Sequence, residues 1–585
     1  MSLTEEQLTA VNCETNLVLT ACPGSGKTRT IAARLARDID SLRGGPKAVA
    51  CITYTNAAVQ EIEQRLAAQL LQGDEHHFVV STIHSFCLTE ILRPFAWAVP
   101  GFVGSMRVIT RDRPEFEQIA KWAAEQINLF RLTSRDFDAF ASLNLDANGN
   151  LIGAALENEP VRRAAPYFWQ KCHELGFVDF ANIIFMAYCL LRDNPMIARS
   201  LACRFATILI DEFQDTTELQ IEILKLLHLQ GRTRIFAVGD PAQSIYGFTG
   251  ARPELIEPFA RDIGARMDLS LSGNFRSSPP IVKHAEKLFP RNPVMISVGR
   301  YRQVEIQPIL VQTLGTFQAI TEQFLPLLGQ HGIGFGQAAI LSKEWRPLFP
   351  LSRSLREFGV PVVGPGARPY RRSRLFASLA EQLCGYIVSP GAHNIRQTER
   401  ALFHAIQDAT AQVRLDVFSY LGRVTLVRLL REAAHLAQSS GAAQWLDAMA
   451  QATGTILMRD GFIEAQHEWL FYASVQEMKA DMHAQNIDIP NLSIEDLGLF
   501  ASPERALRLM TIHSSKGREF EAVAIINLRE GSFPHYRSTD IEGEKRLFYV
   551  AVTRTERVLM YVAEPDQWRN APCRFLRGDD GVGMI

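Results

Sequence analysis

Short apolar runs recur along the chain, each followed by a stretch of helical periodicity. Asn16–Ala21 (NLVLTA) has the length of a strand, passes through CPGSGKT and enters TIAARLARDI, whose Ala, Leu and Arg residues favour helix. Similar runs at Ala48–Tyr54, Phe205–Ile210, Arg234–Val238 and Arg266–Leu271 alternate with helical segments. That alternation predicts a parallel sheet with crossover helices. A second series, Ala338–Ser342, Val360–Val363, Leu507–Met510, Ala522–Asn527 and Val558–Ala563, predicts a second α/β unit. The expected organisation is residues 1–88 with 194–278 as one unit and 279–388 with 500–585 as the other. Mostly helical insertions, 89–193 and 389–499, interrupt them, the second bounded by Ser389-Pro390-Gly391 and by the turn near Pro490. The chain reads as free of internal repeats, low-complexity tracts and coiled-coil heptads.

Composition narrows the class. A chain of 585 residues exceeds what one core supports. With 47% apolar and 21% charged residues it can bury enough surface to offset ordering entropy, which excludes global disorder. Lys plus Arg number 61 against 63 Asp plus Glu, a net charge of −2, so bulk positive charge is not what holds a partner. A local basic groove stays open, and about ten neutralised phosphates would suffice for salt-sensitive affinity. No run approaches the ~18 apolar residues of a membrane span. The opening MSLTEEQLTA is acidic and polar, unlike a signal peptide, so a cytoplasmic location is expected. The nine cysteines include no CxxC pair, which leaves a zinc ribbon or iron–sulfur cluster without a local ligand set; reduced, buried thiols are expected.

Two motifs carry chemistry. Ala21-Cys22-Pro23-Gly24-Ser25-Gly26-Lys27-Thr28 follows a strand and opens a helix, the context of a phosphate-binding loop. A polyphosphate needs backbone N–H donors with no side chain in the way, which Gly24 and Gly26 permit, and the helix N-terminus adds a favourable dipole. Lys27 would reach the β- and γ-phosphates and the Thr28 hydroxyl would ligate Mg²⁺. Ala21 stands where the strict pattern has glycine. The acid site is Asp211-Glu212-Phe213-Gln214-Asp215-Thr216, directly after FATILI, where carboxylates sit at the carboxyl end of a strand. Asp211 would hold Mg²⁺, and Glu212 would position and deprotonate the attacking water.

With these motifs the chain resembles the superfamily 1A helicases of the UvrD/Rep/PcrA type. Thr4-Glu5-Glu6-Gln7 resembles the Q motif, Thr53–Ala58 motif Ia, Ser81–Phe86 motif Ib and Gly239–Phe248 motif III. Asn274–Ser277 is similar to motif IV, Thr511–Phe520 to motif V and Leu547–Arg554 to motif VI, and Glu530–His535 also follows the family's pattern. The resemblance implies an α/β fold of two RecA-like P-loop NTPase domains, closing on ATP and opening on hydrolysis. It implies that Gln7 reads the adenine edge, that Arg29 joins the nucleotide site, and that Glu519 lies near the ribose. Gln243 would sense the γ-phosphate, with Arg276 and Arg554 as the arginines contacting it; planar, always-charged guanidinium suits that task. Thr249 stands where many relatives carry arginine.

For DNA, the resemblance implies contacts from Tyr54, Thr55, Asn56, Thr82, His84, Phe86, Tyr246, Phe248, Thr511 and His513. Sequence-independent binding of this kind combines stacking platforms with phosphate contacts. Phe248 replaces the usual tryptophan. Arg368, Arg371, Arg372 and Arg374 form the densest basic run, readable as a solvated loop or as a phosphate contact. The expected activity is ATP- and Mg²⁺-dependent 3′→5′ movement on single-stranded or 3′-tailed DNA with strand separation. The alternative is a DNA-stimulated accessory ATPase of a Gabija-like anti-phage complex, working beside a separate nuclease subunit. With 31 residues after Arg554, a fused nuclease domain is not expected and any nuclease would be a separate polypeptide.

Overall fold

The computed structural model describes residues 3–584 except 68–69, 72, 100–105, 112, 232, 248–249, 314, 411–418, 439–440, 565–571 and 579–580. The chain divides into two compact units, residues 1–304 with 545–549, and residues 305–544 with 550–585.

In the first unit, strands β1 (Leu17–Ala21), β2 (Ala48–Thr53), β3 (Phe78–Thr82), β4 (Phe205–Ile210), β5 (Arg234–Gly239) and β6 (Ser270–Leu271) form one parallel sheet. Its order is β3-β2-β4-β5-β1-β6. The runs are apolar throughout because both faces are covered. Val18, Ala50, Ile52, Ile208, Ile210 and Ala237 point into one core, while Leu17, Leu19, Cys51, Leu209, Phe236 and Val238 point into the other. The Arg266–Leu271 run contributes only its last two residues as strand, because β6 is an edge strand that meets one neighbour.

The segment between β3 and β4 is mostly helical, with helices Pro114–Glu125, Ser134–Ala141, Glu159–Glu174, Phe180–Asp193 and Pro195–Arg204 among its elements. Several of them, with the short ribbon Arg107–Val108/Phe177–Val178, close a separate small core around Phe116, Phe140 and Phe168. Residues 279–304 stay with the first unit rather than beginning the second. The reason is local pairing: Ile296–Ser297 runs alongside Gly273–Asn274.

The second unit repeats the plan. Strands β7 (Ile309–Gln312), β8 (Ala338–Ser342), β9 (Val362–Val363), β10 (Leu507–Thr511), β11 (Phe520–Ile525) and β12 (Thr555–Ala563) form a parallel sheet of order β7-β12-β11-β8-β10-β9. Between β9 and β10 lies a helical body with its own core, centred on the fully buried Trp445, whose Nε1 donates to the Ala433 carbonyl at 3.0 Å. Among the described residues, all nine cysteines are free thiols. No described helix is long and apolar enough to cross a membrane.

Candidate functional site

Register brings the first unit's chemistry together. Ile210 of β4 pairs with Ala237 of β5, and Ala237 with Val18 of β1. The carboxyl ends of three adjacent strands therefore release Asp211, Asp240 and the loop Cys22–Gly26 side by side, at the crevice where open parallel sheets bind ligands.

Helix α2 (Lys27–Leu42) starts directly from that loop. Gly24 and Gly26 take φ of +68° and +78°, which side chains rarely adopt. Space forbids a side chain as well. A Cβ on Gly24 would lie 2.7 Å from Cβ of Arg276, and one on Gly26 would lie 2.8 Å from Nε2 of Gln7. The two glycines thus let the motif IV arginine and the Q-motif glutamine close over the loop. Gly24 accepts from the Phe275 N–H at 2.8 Å, and Asn274 Oδ1 accepts from the N–H groups of Arg276 and Ser277, each at 2.8 Å.

Gln7 is held in place. It forms a capping box with Thr4 at the start of α1 (Glu5–Val11), and its Nε2 donates to the Ser25 carbonyl at 2.9 Å. Ser25 Oγ is buried without a hydrogen-bond partner, a donor that a polyphosphate oxygen would satisfy. Sequence reasoning missed the anchor beneath this arrangement. Arg34, 1% exposed, pairs with Asp38 at 3.0 Å, donates to the carbonyls of Val11 and Cys13, and lies over the Phe236 ring. A lone arginine on the apolar face of α2 was its only sequence signal.

The acid pair is tightly built. Burial, and next the charge of Glu212, push the Asp211 carboxyl up to about 7, while Lys27 pulls it down. Its Oδ1 accepts from the Glu212 N–H at 2.9 Å. Glu212 sits in the left-handed region at φ +52°, a strained conformation of the kind found at functional sites. The buried Gln214 side chain donates to the Glu212 carboxylate, and its Oε1 accepts from the Asp240 N–H at 2.9 Å. Gln243 is buried, and its Nε2 donates to Asp240 Oδ2 at 2.6 Å.

The residues fit a magnesium ion. The Asp211 carboxylate and Thr28 hydroxyl are hard oxygen donors, and Asp211 is a buried carboxyl whose charged form lacks sufficient compensation. Among the described residues no group of three or more His, Cys, Asp or Glu side chains gathers as a metal cage. Mg²⁺ suits that sparse set, because it keeps several waters and is bound through one or two protein ligands plus phosphate oxygens.

Of the expected DNA contacts, Tyr54 and Tyr246 come together as a stacked pair with centroids 5.1 Å apart. Both are half-buried, and burial, with Asp215 next, pushes the Tyr246 phenol up to about 12. Thr55 and Asn56 are exposed at the start of the helix Asn56–Ala67. His84 is half-buried, and the ring of the exposed Phe180 meets it edge-on at 5.2 Å. Phe180, at the first turn of a buried helix, is a further aromatic that the motif reading passed over. Phe86 is a correction. It is fully buried against Phe205 and belongs to the core, because its helical turn points it under the sheet.

Thr82 and Thr511 do the same local work. Each ends a strand and caps a four-residue helical turn, accepting from Ser85 N–H in one case and Ser514 N–H in the other, both at 3.3 Å. Each cap opens the tetrapeptide Thr-Ile-His-Ser with nearly equal dihedrals, φ −74°, ψ 157° and φ −74°, ψ 154°. The reading of the chain as free of repeats misses this recurrence. Thr511 is 4% exposed, so its expected direct contact with DNA gives way to a cap that presents His513. Burial, with Lys343 and Lys516 adding to it, lowers the His513 pKa. Phe248 and Thr249 lie outside the described residues.

The basic run is spent largely on the protein itself. Arg368 pairs with the buried Glu381 at 2.7 Å, and Arg374 with Asp481 at 2.8 Å and Glu477 at 2.9 Å. Arg371 adds a longer pair to Asp481, and Arg372 stays exposed. In the second unit Arg554 is buried and donates to the Val550 and Arg518 carbonyls at 3.2 and 3.3 Å, while Glu519 is exposed.

Comparison with known proteins agrees with this geometry. Residues 3–264 match the UvrD/REP helicase N-terminal domain, and residues 471–564 match the UvrD-like helicase C-terminal domain. The chain is similar to DNA helicase II of Salmonella typhimurium, 26% identical over 94% of this chain and 83% of the relative. It is also similar to DNA helicase II of Escherichia coli, 25% identical over 94% and 83%, and to the ATP-dependent DNA helicase PcrA of Staphylococcus aureus, 25% identical over 98% and 85%. The phosphate loop, the acid pair and the motif III turn sit inside the first matched region and β10 to β12 inside the second, and the chain belongs to the UvrD/Rep/PcrA-like helicase family.

Proposed function

We propose that this protein is an ATP-dependent DNA helicase that moves 3′→5′ on single-stranded DNA and couples hydrolysis to strand separation. The observation that carries the reading is the convergence of the phosphate loop, Asp211–Glu212 and Asp240–Gln243 at the ends of three neighbouring strands, with Gly24 packed against Arg276.

Phosphoryl transfer is catalysed by positioning and electrostatics rather than covalent chemistry. Loop N–H groups from Ala21 to Thr28, with Pro23 shaping the turn, would cradle the phosphates. Lys27, Arg276 and Arg554 would meet the charge on the transferred group, and Gln7, Arg29 and Glu519 would hold the base and ribose. Thr28 and Asp211 would hold Mg²⁺, which when bound neutralises the β- and γ-phosphate oxygens. Glu212 would orient the attacking water and accept its proton. Tyr54, Thr55, Asn56, His84, Tyr246 and His513 would contact the strand, with Thr82 and Thr511 acting as caps beneath the two histidines.

The test uses purified protein on duplexes with a 3′ or a 5′ single-stranded tail. ATP-dependent unwinding of the 3′-tailed duplex alone, with an ATPase that single-stranded DNA stimulates and salt suppresses, is the expected outcome. Unwinding confined to the 5′-tailed duplex would refute the polarity. An ATPase stimulated by DNA without any unwinding would favour an accessory ATPase.

A further inference from the structure

Arg291 falls in none of the motifs, yet it closes the motif III network. Asp240 is wholly buried, and Arg291 is 13% exposed. The Arg291 guanidinium donates to Asp240 Oδ1, and the same nitrogen donates to the Tyr549 hydroxyl at 2.8 Å. Asp240 Oδ2 accepts from Gln243 Nε2 at 2.6 Å, and the Asp240 N–H donates to Gln214, whose amide holds Glu212. The backbone of Arg291 is itself fixed, its N–H donating to Glu286 at 3.1 Å. Arg291 and Asp240 line one crevice with Thr20 and Cys22, at the start of the phosphate loop.

We propose that Arg291 is a positioning residue for ATP hydrolysis, which by holding the Asp240 carboxylate sets the orientation of the Gln243 amide. The chemistry is one of hydrogen-bond polarity. An ionised carboxylate only accepts, so it dictates that the NH₂ end of Gln243 faces it and the carbonyl end faces away. A buried carboxylate keeps its charge at tolerable cost only when paired. Without the guanidinium, the Asp240 carboxylate keeps only the Ala242 N–H and the Gln243 amide as donors and loses the cation that fixes it, so the amide is no longer held in one orientation. Arg291 touches no reacting atom in this scheme.

The inference rests on the ATPase reading, and the unsubstituted protein separates the two: absence of any turnover there would sink that reading, whatever Arg291 does. The experiment is a double-mutant cycle on DNA-stimulated ATPase with Arg291→Met and Gln243→Ala. Arg291→Met is expected to lower kcat at least tenfold while leaving the Kd for ADP and for single-stranded DNA within twofold. In the Gln243→Ala background the same substitution should cost less than threefold, because residues acting through one another are non-additive. Arg291→Lys, which keeps a cation beside Asp240, should restore most of the rate. Losses that multiply, ADP affinity falling in parallel with kcat, or an unchanged kcat would each overturn the proposal. Should Arg291→Met not fold, Arg291→Met with Asp240→Asn removes the unpaired charge. That protein should still turn over slowly, and a wild-type rate in it would be fatal to the idea.

Discussion

The rings of Tyr54 and Tyr246 stack on each other, 5.1 Å between centroids and 20° from parallel. Tyr54 follows the end of β2 and Tyr246 follows the turn after β5, so two strand ends that are not sheet neighbours are joined by one aromatic contact. Each ring offers a face to the other that a nucleic-acid base could use instead. Tyr54→Ala and Tyr246→Ala should each weaken single-stranded DNA binding by about 1–3 kcal/mol. Tyr54→Phe should bind like the wild type, since stacking needs the ring alone. Fluorescence anisotropy with a labelled oligonucleotide checks both, and a phenylalanine variant as weak as the alanine one would assign the role to the hydroxyl.

Hydrolysis should respond differently to substitutions at the two ends of the nucleotide site. Lys27→Ala removes the positive charge over the phosphates and should abolish turnover. Glu212→Gln should still bind ATP yet hydrolyse it very slowly, because the amide cannot take the water's proton. Nucleotide-binding titration beside steady-state ATPase distinguishes them. Near-wild-type turnover by Glu212→Gln would remove that residue from the water-positioning role.

Arg554 is assigned to the transferred phosphoryl group, so its loss should fall on rate rather than on grip. An arginine of this kind is worth about 10³–10⁵ in turnover. Arg554→Ala should therefore show a collapse of kcat, with DNA affinity in the absence of nucleotide unchanged. The reverse pattern would assign the arginine to the DNA.

His84 is expected to meet DNA as a neutral ring. Burial holds its pKa down to about 4, so the imidazolium forms only as pH falls toward that value. Between pH 6 and 8 the ring keeps one state, and the ratio of DNA affinities of wild type and His84→Gln should stay flat. Affinity that declines from pH 6 to 8 in the wild type but not in His84→Gln would show that the ring binds as a cation.

Arg34 should matter for stability. Arg34→Met leaves Asp38, which is 2% exposed, with only the longer 3.9 Å pair to Arg37, and strips the Cys13 carbonyl of its Arg34 donor and the Val11 carbonyl of one of two arginine donors. Breaking one side of a buried pair costs about 3–5 kcal/mol. Urea denaturation followed by far-UV circular dichroism reads the change. A loss below about 1 kcal/mol would mean that α1 is anchored by other contacts.

What the sequence determined by itself is local in origin. An apolar run of five or six residues followed by helical periodicity marks a parallel strand and its crossover, and both sheets form from such runs. The phosphate loop and Asp211–Glu212 are contiguous and sit at strand ends, so their type and place in the sheet are legible without coordinates. The strand boundaries shift by a few residues where edges and bulges intervene, as between Phe520 and Ala522. The tertiary structure decided what each side chain meets. Phe86 and Tyr54 look alike in the sequence, as aromatics within adjacent motifs, but one faces Phe205 in the core and the other faces Tyr246. The arginine run from 368 to 374 reads as a basic patch until the helix Trp469–Ala484 brings Asp481 and Glu477 against it, more than a hundred residues later. Arg291 carries no motif at all, and only the return of the chain past β5 sets it against Asp240. The physical reason is range. Strand and helix patterns arise from neighbours within a few residues, whereas pairing and burial depend on segments far apart in the chain that only packing brings together.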